Sequence, residues 1–138
     1  MTQEDKDLLL RDISARLPYV VQIRIPSNSG KTFYEATICE ITNRYVCVKG
    51  GGDTCYGYGS FKPYLRPMSS MTEEEFHEYM KFTKHSWSGI DKSEDCYYVK
   101  VTDRAEFIDF LYLHHFDFRG LIEKGLALEA PEGMYKIN

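Results

Sequence analysis

Between Gln3 and Arg16 the apolar residues Leu9, Leu10 and Ile13, with Leu17 just beyond, recur at three- and four-residue spacing and form one stripe. Thr2-Gln3-Glu4-Asp5 has the form of a capping box with Asp in place of Glu, and acids in the first turn suit the positive end of a helix. Pro18 stops the pattern. This predicts a helix over about 3–16. The period then changes to two: Val21, Ile23 and Ile25 point one way, Gln22 and Arg24 the other, as in a half-buried strand. Pro26–Gly30 reads as a turn, 32–42 as a long strand, Asn43-Arg44 as a tight turn, and 45–49 as a further strand. Glycines at 50, 51, 52, 57 and 59 predict a hairpin or a bent strand, and Pro63 and Pro67 make 61–67 an extended edge strand.

The rear half reads as mainly helical. Thr72–Glu75 is a capping box opening a helix over 73–84. Residues 86–95 are loop-like, and 96–101 alternate like a strand. A helix is predicted over 104–116, with Phe107, Ile108, Leu111 and Phe116 as its stripe, and 121–128 as a short helix. The residues after Pro131 and Gly133 are expected to fray. The pattern predicts one α+β domain over 1–138. Its sheet is a small, strongly curved antiparallel one or an SH3-like or Sm-like barrel, with an N-terminal helix and C-terminal helices; an open α+β sheet is the alternative.

A chain of 138 residues can build a core without metal or disulfide staples. Residues 1–66 carry nine Lys/Arg against seven Asp/Glu, a net +2, whereas 67–138 carry a net −6. That balance argues against a broad duplex-binding footprint. No apolar run is long enough for a membrane span, and the acidic start does not resemble a signal peptide, so a cytoplasmic location is expected. Eleven Tyr and eight Phe suit either packing in a small β-rich domain, the reading favoured here, or a recognition face.

The motifs that suggest chemistry reduce to structural readings. Gly30-Lys31-Thr32 lacks the glycine five positions earlier, where Ile25 stands, and a strand follows rather than a helix; it reads as a hairpin turn. The glycines around Asp53-Thr54-Cys55 lack a dinucleotide-binding spacing and read as a hairpin tip. Cys39, Cys47, Cys55 and Cys96 contain no close pair of the kind zinc sites use. Cys39 and Cys47 read as packing residues on neighbouring strands, and a reducing compartment predicts four free thiols. His114 and His115 would diverge by about 100° on a helix, too far to share one ion, although Asp117 could orient either. Nothing in the spacing supports pairing Cys55 with His77 or His85. No catalytic residue, cofactor or metal is expected.

Two stretches carry a resemblance. Lys62–Glu75 (KPYLRPMSSMTEEE) and His114–Pro131 (HHFDFRGLIEKGLALEAP) are similar to blocks in small uncharacterised proteins encoded by phages, prophages and mobile elements of gut bacteria. The resemblance implies such an origin, with a bacterial host cytoplasm as the setting. It implies no activity, so no residue role is carried over.

The function expected is therefore that of an accessory, non-enzymatic protein-interaction module whose partner is a host or phage protein. Its candidate surface comprises Tyr34, Arg44, Tyr45, Tyr56, Tyr58 and Trp87. The alternative is a small barrel that stacks single-stranded nucleic acid on Tyr19, Tyr34, Tyr45, Tyr56 and Tyr58, with Arg24, Arg44 and Lys49 on the phosphates. The small positive excess argues against it. The two separate on whether those rings form one exposed stripe.

Overall fold

The computed structural model describes residues 1–49, 54–82, 90–92, 97–99 and 105–135. Helix α1 spans Gln3–Arg16 and opens on the expected capping box: the Asp5 amide donates to Thr2 Oγ1 and the Thr2 amide to the Asp5 carboxylate. Leu9 and Ile13 are wholly buried, while Leu10 and Leu17 are half-buried. Pro18 sits in a short 3₁₀ turn over Leu17–Tyr19, which delays β1 to Gln22–Pro26. Val21, Ile23 and Ile25 face the core, as their alternation requires.

Strands β2 (Phe33–Ile41), β3 (Tyr45–Val48), β4 (Cys55–Gly57) and β5 (Lys62–Pro67) follow. Gly30 takes φ +71° in the turn before β2, a conformation that favours glycine. Helix α2 spans Glu73–Phe82, the strands β6 (Ile90–Lys92) and β7 (Tyr97–Val99) form a separate pair, and helix α3 spans Ala105–Leu113. β6 falls within the segment expected to be loop. Two short strands, β8 (Phe116–Asp117) and β9 (Leu128–Glu129), complete the main sheet.

The sheet runs β4-β3-β2-β1-β5-β8, with β9 also on β5. Pairings from β4 to β5 are antiparallel; β8 and β9 join β5 in parallel. The architecture is thus α+β with an open, mixed, seven-stranded sheet, and the expected closed barrel is corrected. The far side of β5, where closure would need another strand of the same meander, is taken by β8 and β9. β5 is consequently internal rather than an edge. Its partners there are short segments whose bonds run through the Arg66 amide to His115 O (2.8 Å) and from the Ala130 amide to Leu65 O (2.8 Å). Neither proline nitrogen is used in them.

The main core gathers Leu9 and Ile13 from α1, Ile23, Ile38, Val46 and Leu65 from the sheet, and Leu121 and Leu126 from the C-terminal segment. A second cluster joins Met71, Phe110, Leu111 and Phe116, with Phe76 and Ile108 packed against it. The side chain of Phe107 lies outside the described residues. Phe116 belongs to β8, not to the helix predicted through it. Between the clusters lies a fully buried ion pair, Asp12 with Arg16, at 2.7 Å. Arg16 Nη2 also donates to the Phe116 carbonyl, and its guanidinium lies over the rings of Tyr112 (5.1 Å) and Phe118 (5.6 Å). Arg119 Nε stands 3.3 Å from Asp12 Oδ1.

The predicted helix over 121–128 is replaced by turns. Gly120 and Gly125 adopt φ +75° and +77°, leaving room for a single turn between them. Asp117 caps that turn, accepting from the Leu121 and Ile122 amides at 2.9 Å each. The segment past Pro131 is not frayed as far as Tyr135. The Tyr135 hydroxyl donates to Tyr64 O (2.7 Å) and accepts from the Gln22 amide (3.0 Å), while its ring stacks on His115 at 3.7 Å.

Candidate functional site

The antiparallel register of β1 and β2 sets Arg24 opposite Glu35 and Pro26 opposite Phe33. Across β1 and β5, Arg24 stands opposite Lys62. The Arg24 guanidinium lies 3.8 Å from the Phe33 ring centre, and its Nε donates to the Tyr64 hydroxyl at 2.9 Å. Burial pushes the Tyr64 hydroxyl above its ordinary value. Phe33 and Tyr34 remain 48% and 60% exposed at the end of the strand. Successive strand residues face opposite ways, so these two rings present apolar surface on both sides of the sheet end. Phe33 and Lys62 were absent from the candidate surface read in the sequence. The signal available was Phe33 at a strand start beside a polar turn.

The five sequence-predicted residues that lie among the described ones do not converge. Tyr34 is exposed at one end of β2. Arg44 and Tyr45 are exposed at the other, about 23 Å away at 3.3 Å per residue. Tyr56 and Tyr58 turn towards the core and pack against it. Tyr58 donates to Thr42 O at 2.8 Å, its ring lies 5.8 Å from Phe61, and burial pushes its hydroxyl up. Arg44 and Tyr58 do share a groove of about 310 Å³ with Lys6, Asp7 and Leu10 of α1. Trp87 lies outside the described residues.

A second polar site was legible only in parts. Glu75, the capping residue of α2, accepts from the Thr72 amide at 3.0 Å and receives both Arg66 Nη atoms at 2.7 Å. His114 Nδ1 stands 3.2 Å from Glu75 Oε2. Burial pushes the Glu75 carboxyl up, but hydrogen bonds from Arg66, His114 and the Thr72 amide outweigh it and hold the group well below the usual carboxylate range. His114 is buried beside Phe110 (4.4 Å), and its Nε2 has no hydrogen-bond partner among the described residues; Glu78 Oε2 is 4.0 Å away. These groups line a cavity of about 480 Å³ together with Tyr135. A carboxylate-oriented imidazole is one half of a nucleophilic constellation. Among the described residues no hydroxyl or thiol hydrogen-bonds to it, and the arrangement is a strut joining β5, α2 and the end of α3. It is Glu75, not Asp117, that orients His114.

The cysteines depart from expectation. Cys47 and Cys55 face one another in the β3–β4 register with Cα atoms 4.3 Å apart, and they form a disulfide. Direct cross-strand pairing put the two sulfurs in reach, whereas the expected free thiols followed from an assumed compartment. Cys39 is a free thiol, exposed rather than packed; Cys96 lies outside the described residues. His77 is exposed on α2, and Cys55 is bridged, so the two make no catalytic pair.

Among the described residues no group of three or more His, Cys, Asp or Glu side chains is placed to hold a metal ion. Among them, too, no helix is long and apolar enough to cross a membrane. In comparisons with known proteins, no family model, no curated protein and no solved structure matches the chain.

Proposed function

We propose that this chain is a non-catalytic protein-interaction module, of the accessory kind that phages and mobile elements of gut bacteria encode. The reading rests on one observation: Phe33 and Tyr34 stand exposed on opposite faces of the same sheet end, with Phe33 held under Arg24 at 3.8 Å. Aromatic and arginine side chains supply most of the binding energy at protein interfaces. A ring already ordered by its neighbour loses less freedom on binding. Lys62, exposed opposite Arg24, adds positive charge on the same face. The partner that fits is a protein segment presenting apolar side chains next to a carboxylate.

Single-stranded nucleic acid has weaker support. The rings of Tyr56 and Tyr58 are turned inward, Tyr34 and Tyr45 are too far apart to stack neighbouring bases, and the front half carries only +2. The test compares the parent with the double variant Phe33→Ser, Tyr34→Ser in affinity purification from a gut-bacterial host lysate. A discrete partner is expected with the parent and lost with the variant, while the melting temperature holds. Anisotropy titration should give no binding to mixed single strands tighter than about 10 µM near physiological salt. Sub-micromolar, salt-sensitive binding to single strands would overturn the reading, as would a partner indifferent to both substitutions.

A further inference from the structure

We infer that the outer face of β2–β3–β4 is a thiol–disulfide exchange site in which Cys39 attacks the Cys47–Cys55 bridge. Three observations place the groups. The register between β2 and β3 shifts from Ile38 opposite Val48 to Glu40 opposite Cys47, so a bulge sets both Cys39 and Glu40 against Cys47. An inserted residue of this kind re-aims a side chain. Cys39 itself follows the buried Ile38 and is exposed on the outer face, as strand alternation requires. The Cys39 thiol donates to the Cys47 carbonyl at 3.4 Å. Finally, β2, β3 and β4 are successive strands, so Cys39 lies on the side of Cys47 opposite to Cys55. That is the side from which a thiolate expels the leaving sulfur.

The step balances within the chain. The Cys39 thiol gives its proton to water, and the thiolate attacks Cys47 Sγ. The Cys39–Cys47 bond forms as the Cys47–Cys55 bond breaks, and Cys55 leaves as a thiolate that takes up a proton. One disulfide and one thiol are present before and after, so no oxidant or reductant is consumed. The exposure of Cys39 and Cys55 leaves the attacking and departing sulfurs open to solvent. Exchange moves the covalent tie from β3–β4 to β2–β3. It unclips the edge strand that carries Tyr56 and delivers a reactive thiol to the sheet edge.

Trypsin separates the three cysteines onto three peptides by cutting after Arg44 and Lys49. Air-oxidised protein is held at pH 8, quenched with acid, alkylated and mapped by mass spectrometry, both as the parent and in a Cys96→Ser background. Two species are expected: Cys47–Cys55 with alkylated Cys39, and Cys39–Cys47 with alkylated Cys55. The second should vanish in Cys39→Ser, while the first persists. Cys47–Cys55 as the sole bridge at every time, or no bridge at all, would overturn the proposal.

Discussion

Arg16 and Phe116 lie 100 positions apart, yet Arg16 Nη2 donates to the Phe116 carbonyl at 2.6 Å. The bond ties the end of α1 to β8, and Asp12 supplies the counter-charge in a site without solvent access.

Asp12→Ala should therefore destabilise the protein by about 3–5 kcal/mol, because it strands a buried guanidinium. Replacing both partners, as Asp12→Leu with Arg16→Met, should recover most of the loss. Urea midpoints measure both. A single variant as stable as the parent would show that the pair does not secure this seam.

Thr72→Ala should cost on the order of 1 kcal/mol, since Thr72 Oγ1 accepts from the Glu75 amide at 3.1 Å. A chemical denaturation midpoint equal to the parent's would remove Thr72 from the cap.

Tyr135→Phe keeps the ring stacked on His115 but removes a hydroxyl that burial pushes up to about 12. The Gln22 amide and Tyr64 carbonyl lose their partner, at a cost of about 1–3 kcal/mol. Thermal melting of the variant, with circular dichroism confirming an unchanged sheet, is the check.

Acid should weaken the fold in two stages. Burial, then the charges of Arg16, Arg66 and His114, lower His115 to about 4 from an ordinary 6.5. Between those values the unfolded chain binds a proton that the native one does not, so stability falls as pH drops from 6.5 to 4, by up to about 1.4 kcal/mol per pH unit. Glu75 is depressed instead, so its contribution is complete above about 4.5 and is lost as pH falls further. Urea midpoints taken across this range should lose the upper stage in His115→Asn, a substitution chosen because residue 115 has φ 64°. An unchanged upper stage in that variant would assign it to another group.

The front of the chain was legible because its signals are local. The stripe of Leu9 and Ile13, the alternation of Val21, Ile23 and Ile25, and the caps at Thr2 and Thr72 all act within a few residues. What escaped depends on distant partners. Asp12 and Arg16, four apart on a helix, form a buried pair only because Tyr112, Phe116 and Phe118 from distant positions cover them. Glu75 read as a capping residue, and its second role needs Arg66 and His114 from two other elements. β8 and β9, two residues each, are too short to show a period. Of the aromatic residues named from the sequence, Tyr34 is exposed, whereas Tyr56 and Tyr58 turn to the inner side once the hairpin register is fixed.

The parallel seating of β8 and β9 on β5 bears on synthesis. β5 ends at Pro67, and one flank of it waits for residues 116–129, followed by Tyr135. A nascent chain that has exposed α1 and the first five strands still lacks the groups that cover Leu65, satisfy Arg16 and hold the Gln22 amide. Such non-local pairings are closed late, after their loop entropy has been met. Completion therefore waits for residues 116–135 to emerge. A ribosome stalled, or a reading frame truncated, before residue 116 releases a chain with an open strand flank ready to pair with its neighbours.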